Sequence, residues 1–251
     1  MIHPKQSPSR RFPVLLLMLF SIAWVFGQSA SDLLTSMDDL MAAPLDRQAK
    51  VKMILRDKSG KEKVREAVLL QKGRYMKLYR YTQPEKQAGI ATLSLPDDVM
   101  WMYMPAFGKP IKISLLSKSQ AFTGTDFSYE DMTGTSYSER FTPGIVENPD
   151  ASIVQLELMP KSMKSRYSKI IVYLNREHRY PEKMEYFDDN REFFKFATYD
   201  YVKQGKYWYA KEVVMTDIKK EHSTLIYLSD MKFDQGISDD LFSVENLGVE
   251  P

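Results

Sequence analysis

The sequence contains no cysteine, so it forms neither disulfides nor thiolate metal sites. It has only three histidines, His3, His178 and His222, which are too widely separated for the common zinc spacings. A G-x-S-x-G nucleophile elbow and a glycine-rich phosphate loop are also missing from it. We therefore expect no metal, no cofactor and none of these catalytic sites.

Two pairs of adjacent carboxylates, at 130–131 and 188–189, remain as candidates for acid–base chemistry. Adjacent side chains on a strand point in opposite directions, whereas general acid–base catalysis needs two groups that converge on one bond. His178 lies in a turn and His222 follows three charged residues, so both are expected at solvated positions. The sequence therefore predicts a protein that is not an enzyme.

The sequence also lacks a large net charge, because its 35 Lys and Arg residues nearly balance its 33 Asp and Glu residues. Three of the cations, Lys5, Arg10 and Arg11, lie at the extreme N-terminus, and the rest of the chain is close to neutral. Nucleic-acid binding normally requires a basic face. We therefore expect no nucleic-acid partner.

The N-terminus has the pattern of a secretory signal peptide. Basic residues precede an apolar run at residues 14–26, and the small residue Gly27 closes this run. The run is short for a hydrocarbon layer of about 30 Å, and a retained membrane anchor is the alternative. We expect residues 1–27 to be removed and the protein to be periplasmic. Residues 28–251 are expected to form a single domain, since no linker or repeat divides them.

The secondary structure is expected to be mainly β. One amphipathic helix is predicted after Ser29 or Ser31, either of which can cap it, and Pro44 ends it. From Gln48 onward, alternating apolar residues and turn signals indicate about eleven or more short strands. Short connections favour antiparallel neighbours, and so long a sheet must curl, split or close. We predict a strongly curved antiparallel sheet that forms an incomplete, half-open β-barrel.

Residues 99–132 predict how the concave face of this sheet is covered. Six consecutive apolar residues at 99–104 indicate a strand covered on both faces. After a short strand at 111–113, a loop of about twenty residues holds Phe122, Phe127 and Tyr129. Large aromatic side chains require burial. We expect this loop and the helix to cover the concave face of the sheet, and a surface excursion is the alternative.

Two blocks of the sequence carry a family resemblance. One block is PAFGKPIKI at residues 105–113 followed by FTGTDFSYEDM at 122–132, and the other is KGRYMKLYRYTQPEKQAG at 72–89. Together they resemble the LolA-like family of outer-membrane lipoprotein-sorting proteins. The resemblance implies a periplasmic carrier that binds a lipid or a lipoprotein acyl chain. It also implies partners of two kinds, an inner-membrane transporter and an outer-membrane acceptor.

The composition agrees with an apolar cavity. The chain has 15 methionines, which adapt to ligands of varied shape, and 15 tyrosines, which suit a wall between an apolar and a wet region. The expected cavity lining is Val51, Met53, Leu55, Met76, Leu78, Trp101, Tyr103, Phe122, Phe127 and Tyr129. A strand facing shifted by one residue would invert half of that set.

The resemblance also implies a role for one arginine. Carriers of the family have an arginine near the start of the strand pair before the central strand, which holds a lid closed or responds to cargo. Arg74, within KGRY, is the nearest match, although the local pattern departs from the family's R-P-x-x-F. A strand-end cation without a functional role is the alternative.

A second class of function uses the same fold as a sensor or adaptor that binds a membrane transporter or an anti-sigma-type regulator. Lipid released from the purified protein would favour the carrier. A ligand-free protein that binds one membrane protein would favour the adaptor.

Overall fold

The computed structural model describes residues 28–114 and 120–249. The signal peptide expected at residues 1–27 and its cleavage site lie outside the described residues. The described chain forms one 13-stranded antiparallel sheet with an N-terminal helix, so the mainly-β prediction is confirmed. No helix within the described ranges is long and apolar enough to cross a membrane.

The strands follow one another in two meanders. The first contains β1 (Asp46–Arg56), β2 (Glu62–Lys72), β3 (Met76–Gln83), β4 (Ala91–Leu95), β5 (Val99–Tyr103) and β6 (Pro110–Lys112). The second contains β7 (Phe141–Val146), β8 (Ile153–Pro160), β9 (Lys169–Asn175), β10 (Pro181–Phe187), β11 (Phe193–Gln204), β12 (Tyr207–Asp217) and β13 (His222–Phe233). Tight connections within each meander make neighbouring strands antiparallel.

The two meanders join where β1 pairs with β13, which gives the strand order β6-β5-β4-β3-β2-β1-β13-β12-β11-β10-β9-β8-β7. The edges are β6 and β7, and the sheet is not closed into a barrel. Side chains from strands on both sides of the β1–β13 seam share one buried cluster. A flat sheet of this size would be roughly 58 Å wide. The N-terminal helix contacts both β12 and the edge strand β7, which lie five positions apart in the sheet. The sheet therefore curves around this helix, as predicted.

The N-terminal helix α1 (Ala30–Ala42) lies on the concave face. It begins with a capping box, in which the Ser29 hydroxyl accepts from the backbone N–H of Asp32 at 3.1 Å and the Asp32 carboxylate accepts from that of Ser29. Its fully buried apolar side chains are Leu33, Leu34 and Met37. These contact the sheet interior, so the predicted apolar stripe is confirmed.

Both faces of the sheet are covered. The inner cluster, on the concave face, joins the side chains of α1 to inward-facing residues of most strands. The outer cluster, on the convex face, places Ile237, Phe242 and Leu247 from the C-terminal segment on β2, β3 and β4. β5 contributes Met100 to the inner cluster and Trp101 to the outer one, which confirms double coverage at residues 99–104. Leu241, next to the buried Phe242, is 37% exposed.

Three elements were not expected from the sequence. They are β7, the helix α2 (Tyr129–Met132) and the helix α3 (Tyr137–Arg140). Four-residue helices are too short to give a helical period. β7 contains Pro143 and Gly144, which indicate a turn, but an edge strand tolerates proline because one side of it has no partner.

Candidate ligand-binding site

The loop predicted to cover the concave face does so. We call residues 120–140 the crossing segment, because they run across the sheet interior before β7 begins. Phe122, Phe127 and Tyr129 are all buried in the inner cluster. Phe122 meets Tyr79 of β3 edge-on at 5.9 Å and Tyr129 at 5.3 Å between ring centroids. These residues therefore do not form a surface loop, which was the alternative.

A buried ion pair fixes the crossing segment to β11. Lys195 Nζ lies 2.8 Å from Asp131 Oδ2, and the two side chains are 1% and 6% exposed. The Tyr167 hydroxyl donates to Asp131 Oδ1 at 2.7 Å, and the backbone N–H of Ser128 donates to Oδ2 at 2.8 Å. Burial alone would raise the pKa of Asp131, but the Lys195 ammonium and these donors outweigh it and leave that pKa below its ordinary value.

A second anchor joins the crossing segment to β13. The Asp126 carboxylate accepts from the Thr224 hydroxyl and lies against His222 Nδ1, both at 2.7 Å. The expectation that His222 is merely solvated was therefore wrong, because a buried carboxylate in the crossing segment holds its ring. The sequence conceals this contact, since nearly a hundred residues separate the two partners.

The carboxylate pair at 130–131 lies in α2 and not on a strand. Glu130 accepts from the Ser165 hydroxyl at 2.7 Å and from the backbone N–H of Arg166 at 3.0 Å, while Asp131 faces Lys195. The two carboxylates therefore serve separate anchors. Among the described residues, no group of three or more His, Cys, Asp or Glu side chains is arranged to hold a metal ion.

Between α1, the crossing segment and the concave face lies a hollow of about 150 Å³. Its walls are largely aromatic and aliphatic. The lining side chains from the sheet include Leu69, Tyr79, Tyr186, Tyr199, Tyr201, Trp208, Val213, Ile226 and Leu228, and those from α1 and the crossing segment include Met41, Phe127, Met132 and Tyr137. Burial raises the pKa of Tyr79 and of Tyr137 to about 12, so these hydroxyls stay neutral at physiological pH.

Two cations, Arg47 of β1 and Lys77 of β3, also line this hollow. Arg47 donates Nε and Nη2 to Gln71 Oε1 at 3.0 and 2.6 Å, and Lys77 Nζ donates to the carbonyl of Thr133 at 3.1 Å. Burial lowers the pKa of Lys77 to about 7, and the neighbouring positive charges act in the same direction. Burial also lowers the pKa of Arg47.

A second cavity, of about 470 Å³, lies on the convex face under the C-terminal segment. Its walls come from β2, β3 and the C-terminal turns. They include Val68, Leu70, Leu78, Ala88, Leu241 and Val249. The curved sheet therefore has an apolar cavity on each face.

The structure separates the ten residues predicted to line one cavity. Val51, Met53, Leu55, Phe122, Phe127 and Tyr129 belong to the inner cluster, and Phe127 borders the hollow itself. Met76, Leu78, Trp101 and Tyr103 instead face the outer cluster. Apolar side chains on β3 and β5 cover both faces, because the C-terminal segment packs on the convex side. The apolar pattern of these two strands therefore does not reveal which of their side chains face the concave side of the sheet.

Arg74 lies in the turn between β2 and β3, beside a small cavity that shares Lys77 and Tyr137 with the hollow. Its Nη2 is 2.5 Å from Asp39 Oδ1 on α1, and the side chains are 27% and 61% exposed. The next residue, Tyr75, approaches the crossing segment so closely that a Cβ on Gly134 would lie 2.2 Å from its carbonyl oxygen. This turn thus contacts both elements that cover the concave face.

The sequence interpretation missed the two cations of the hollow, although a signal for them exists. Side chains at every second position of a strand share a face, so Arg47 lies on the same face of β1 as the inward-facing Val51, Met53 and Leu55. In the same way, Lys77 lies on the same face of β3 as Tyr79. A charged residue at a strand position whose side chain faces inward indicates a polar site within the interior.

Comparisons with known proteins agree with this architecture. A family model described as "Uncharacterized protein" matches residues 73–248. The chain is similar to an outer membrane lipoprotein-sorting protein domain from Vibrio parahaemolyticus, with 26% identity and a TM-score of 0.81 over 87% of this chain and 98% of that one. A search among curated proteins finds no match.

Two further solved structures share the fold. A DUF1329 family protein from Desulfovibrio piger is 23% identical, with a TM-score of 0.80 over 87% of this chain and 97% of that chain. A LolA superfamily protein from Nitrosomonas europaea is 21% identical, with a TM-score of 0.73 over 86% of this chain and 98% of that chain. The family model covers well over half of the sequence. The chain therefore belongs to the family that this model describes, and it shares the LolA-like fold of these solved structures.

Proposed function

We propose that this protein is a periplasmic carrier that binds a lipid or a lipoprotein acyl chain in the hollow on its concave face, without catalysing a reaction. The observation that carries the proposal is the aromatic and aliphatic hollow between the sheet, α1 and the crossing segment. The similar domain from Vibrio parahaemolyticus, described as a lipoprotein-sorting domain, supports the same role. An inner-membrane donor and an outer-membrane acceptor are the partners that such a role requires.

The energy of acyl-chain transfer sets a requirement for the site. Hiding an acyl chain from water is worth about 0.8 kcal/mol per methylene, so a chain of about sixteen carbons represents roughly 12 kcal/mol. A carrier must match most of this value to extract its cargo, yet remain below it to deliver the cargo. A site that opens on loading and closes when empty meets both conditions.

We infer from the volume of the hollow that this conformation is the closed one. About 150 Å³ is available, whereas pockets for larger small-molecule ligands enclose about 300–1,000 Å³. A long acyl chain therefore requires one covering element to move. We assign this movement to α1, because buried charged groups anchor the crossing segment to β11 and β13.

Two polar links hold α1 in place, and its displacement would have to break both. Arg74 joins it to the β2–β3 turn through a partly exposed ion pair with Asp39. Asp38 joins it to α3, since its carboxylate accepts from the backbone N–H groups of Tyr137 and Ser138 at 2.9 and 2.8 Å. Both links lie near one end of the helix, so displacement of α1 would open the hollow there.

The test is the identification of cargo in protein purified from its own host. Native mass spectrometry and solvent extraction should release one class of acyl lipid in a ratio near one per chain. A matched preparation of Met53→Glu, which places a charge on the concave face, should carry less lipid if it remains folded by circular dichroism. A wild-type protein that is folded and free of lipid would contradict the carrier role.

A further inference from the structure

We propose that the ligand of the hollow is an anionic amphiphile, with its acidic head group bound by Arg47 and Lys77 and its apolar part against the tyrosine-rich wall. This inference rests on the carrier function proposed above and specifies the chemistry of its ligand. The acidic group is a carboxylate, phosphate or sulfonate type of anion attached to a hydrocarbon chain.

Neither cation has an anionic partner among the described residues. Arg47 is held by the side-chain oxygen of Gln71, which is a neutral group. Gln71 is itself buried, and its Nε2 donates to the carbonyl of Gly73 at 2.9 Å, so the amide presents its oxygen to the guanidinium. Lys77 contacts one backbone carbonyl, that of Thr133. Hydrogen bonds to neutral groups orient these cations but leave their charges uncompensated.

Other charged groups surround Lys77. They are Arg47 on β1, Asp38 on α1, Arg74 in the β2–β3 turn, Asp131 on α2 and Arg140 on α3. The Asp38 carboxylate is occupied by two backbone N–H groups, and the Asp131 carboxylate by Lys195. The nearby carboxylates are thus engaged elsewhere, and the hollow retains an excess of positive charge.

The depressed pKa of Lys77 agrees with this excess. Burial is its largest cause, and the cations of Arg47 and Arg140 lower the pKa further, whereas the Asp38 carboxylate opposes them with a smaller effect. An anion placed between Arg47 and Lys77 would oppose all three effects and favour the charged ammonium. A ligand without an acidic group would leave the two cations desolvated and without a counter-charge.

The apolar part of the lining favours an amphiphile over a free anion. Beyond the two cations, the hollow is bordered by Leu69, Val213, Ile226 and Leu228 and by neutral tyrosine rings. A small hydrated anion would gain nothing from this surface, whereas a hydrocarbon chain gains about 0.8 kcal/mol for each methylene that it buries. The arrangement of a charged end and an apolar wall in one hollow therefore matches a molecule with both parts.

The test compares three probes on the full mature chain by isothermal titration calorimetry at pH 6.5 and low salt. The probes are decanesulfonate, 1-decanol, which has the same chain without the charge, and inorganic phosphate. We expect decanesulfonate to bind at least tenfold more tightly than 1-decanol and phosphate to give no measurable heat. Arg47→Gln and Lys77→Met should each remove most of this preference, whereas Lys50→Gln, at an exposed ion pair with Asp230, should retain it.

The outcomes distinguish this inference from the carrier proposal. Equal binding of decanesulfonate and 1-decanol would overturn the anionic head group while leaving acyl-chain binding intact. Binding of phosphate as tight as that of decanesulfonate would overturn the amphiphile in favour of a free anion. A sulfonate preference that persists in both folded variants would overturn the assignment to Arg47 and Lys77. If neither decyl probe binds, both proposals fail.

Discussion

Replacement of Asp131 by asparagine tests whether the buried ion pair anchors the crossing segment. Asn is nearly isosteric with Asp, so Asp131→Asn preserves the shape of the site while removing the anion that lies 2.8 Å from Lys195 Nζ. The ammonium then remains 1% exposed without a counter-charge. Breaking a buried pair in this way destabilises proteins by about 3–5 kcal/mol. For a domain of this size, that corresponds to a fall in Tm of roughly 10 °C.

The assay is urea unfolding followed by circular dichroism. Asp131→Asn should lower the midpoint without changing the m-value, because the surface exposed on unfolding is the same. Asp230→Asn is the matched control, since it breaks the Lys50 ion pair, whose side chains are 73% and 60% exposed. An exposed pair contributes at most about 1 kcal/mol. Equal losses in the two variants would refute the anchoring role of Asp131.

The double variant Asp131→Asn with Lys195→Met completes the cycle. It removes the buried cation together with its partner, so it should be more stable than Asp131→Asn alone. A double variant whose loss equals the sum of the two single losses would show that the two groups are not coupled.

The pH dependence of the same variants follows from the direction of the Asp131 shift. Its pKa is lower in the folded chain than in the unfolded chain, so its stabilisation is complete above the unfolded value of about 3.9. That stabilisation is lost as the pH falls through the lower, folded value. The difference in unfolding free energy between wild type and Asp131→Asn should therefore shrink below about pH 4. A constant difference from pH 7 to pH 3 would contradict this reasoning.

Three further predictions concern the rim and the hollow. Gly134→Ala should destabilise the protein by about 1–3 kcal/mol through overpacking against Tyr75, whereas Gly144→Ala, whose Cβ would have its nearest neighbour at 4.0 Å, should lose clearly less in the same urea titration. The affinity for decanesulfonate should fall between pH 6 and pH 8 as Lys77, with a pKa of about 7, loses its proton, and a flat calorimetric profile would contradict this. Arg74→Ala should cost less than about 1 kcal/mol of stability yet change the rates of fluorescent-lipid uptake and release, and unchanged rates would refute a role in gating.

Much of the fold follows from local patterns in the sequence. Alternation along β1 and the capping residues of α1 specify those elements, because each depends on neighbours within a few residues. β7 and α3 escaped prediction because their conformation depends on the sheet edge and on contacts such as that of Asp38 with Tyr137. Distant partners of this kind leave no local pattern.

The site was less accessible to sequence reasoning than the fold. Aromatic residues in the crossing segment were assigned to the interior correctly, since large rings in a loop require burial. The facing of β3 was inverted because Leu78 and Tyr79 are both covered, one by the C-terminal segment and the other by the crossing segment. Identifying Arg47 and Lys77 required the same knowledge of facing, so the polar end of the hollow remained hidden.

The pairing of β1 with β13 has a consequence for the order in which the chain can fold. Their backbone hydrogen bonds bring Met53 opposite Ile226, two positions near opposite ends of the described chain. During synthesis, β1 has no partner on that side until the last long strand emerges. Contacts of such large sequence separation form slowly. A nascent chain truncated before β13 would expose two unsatisfied strand edges, which are templates for intermolecular aggregation.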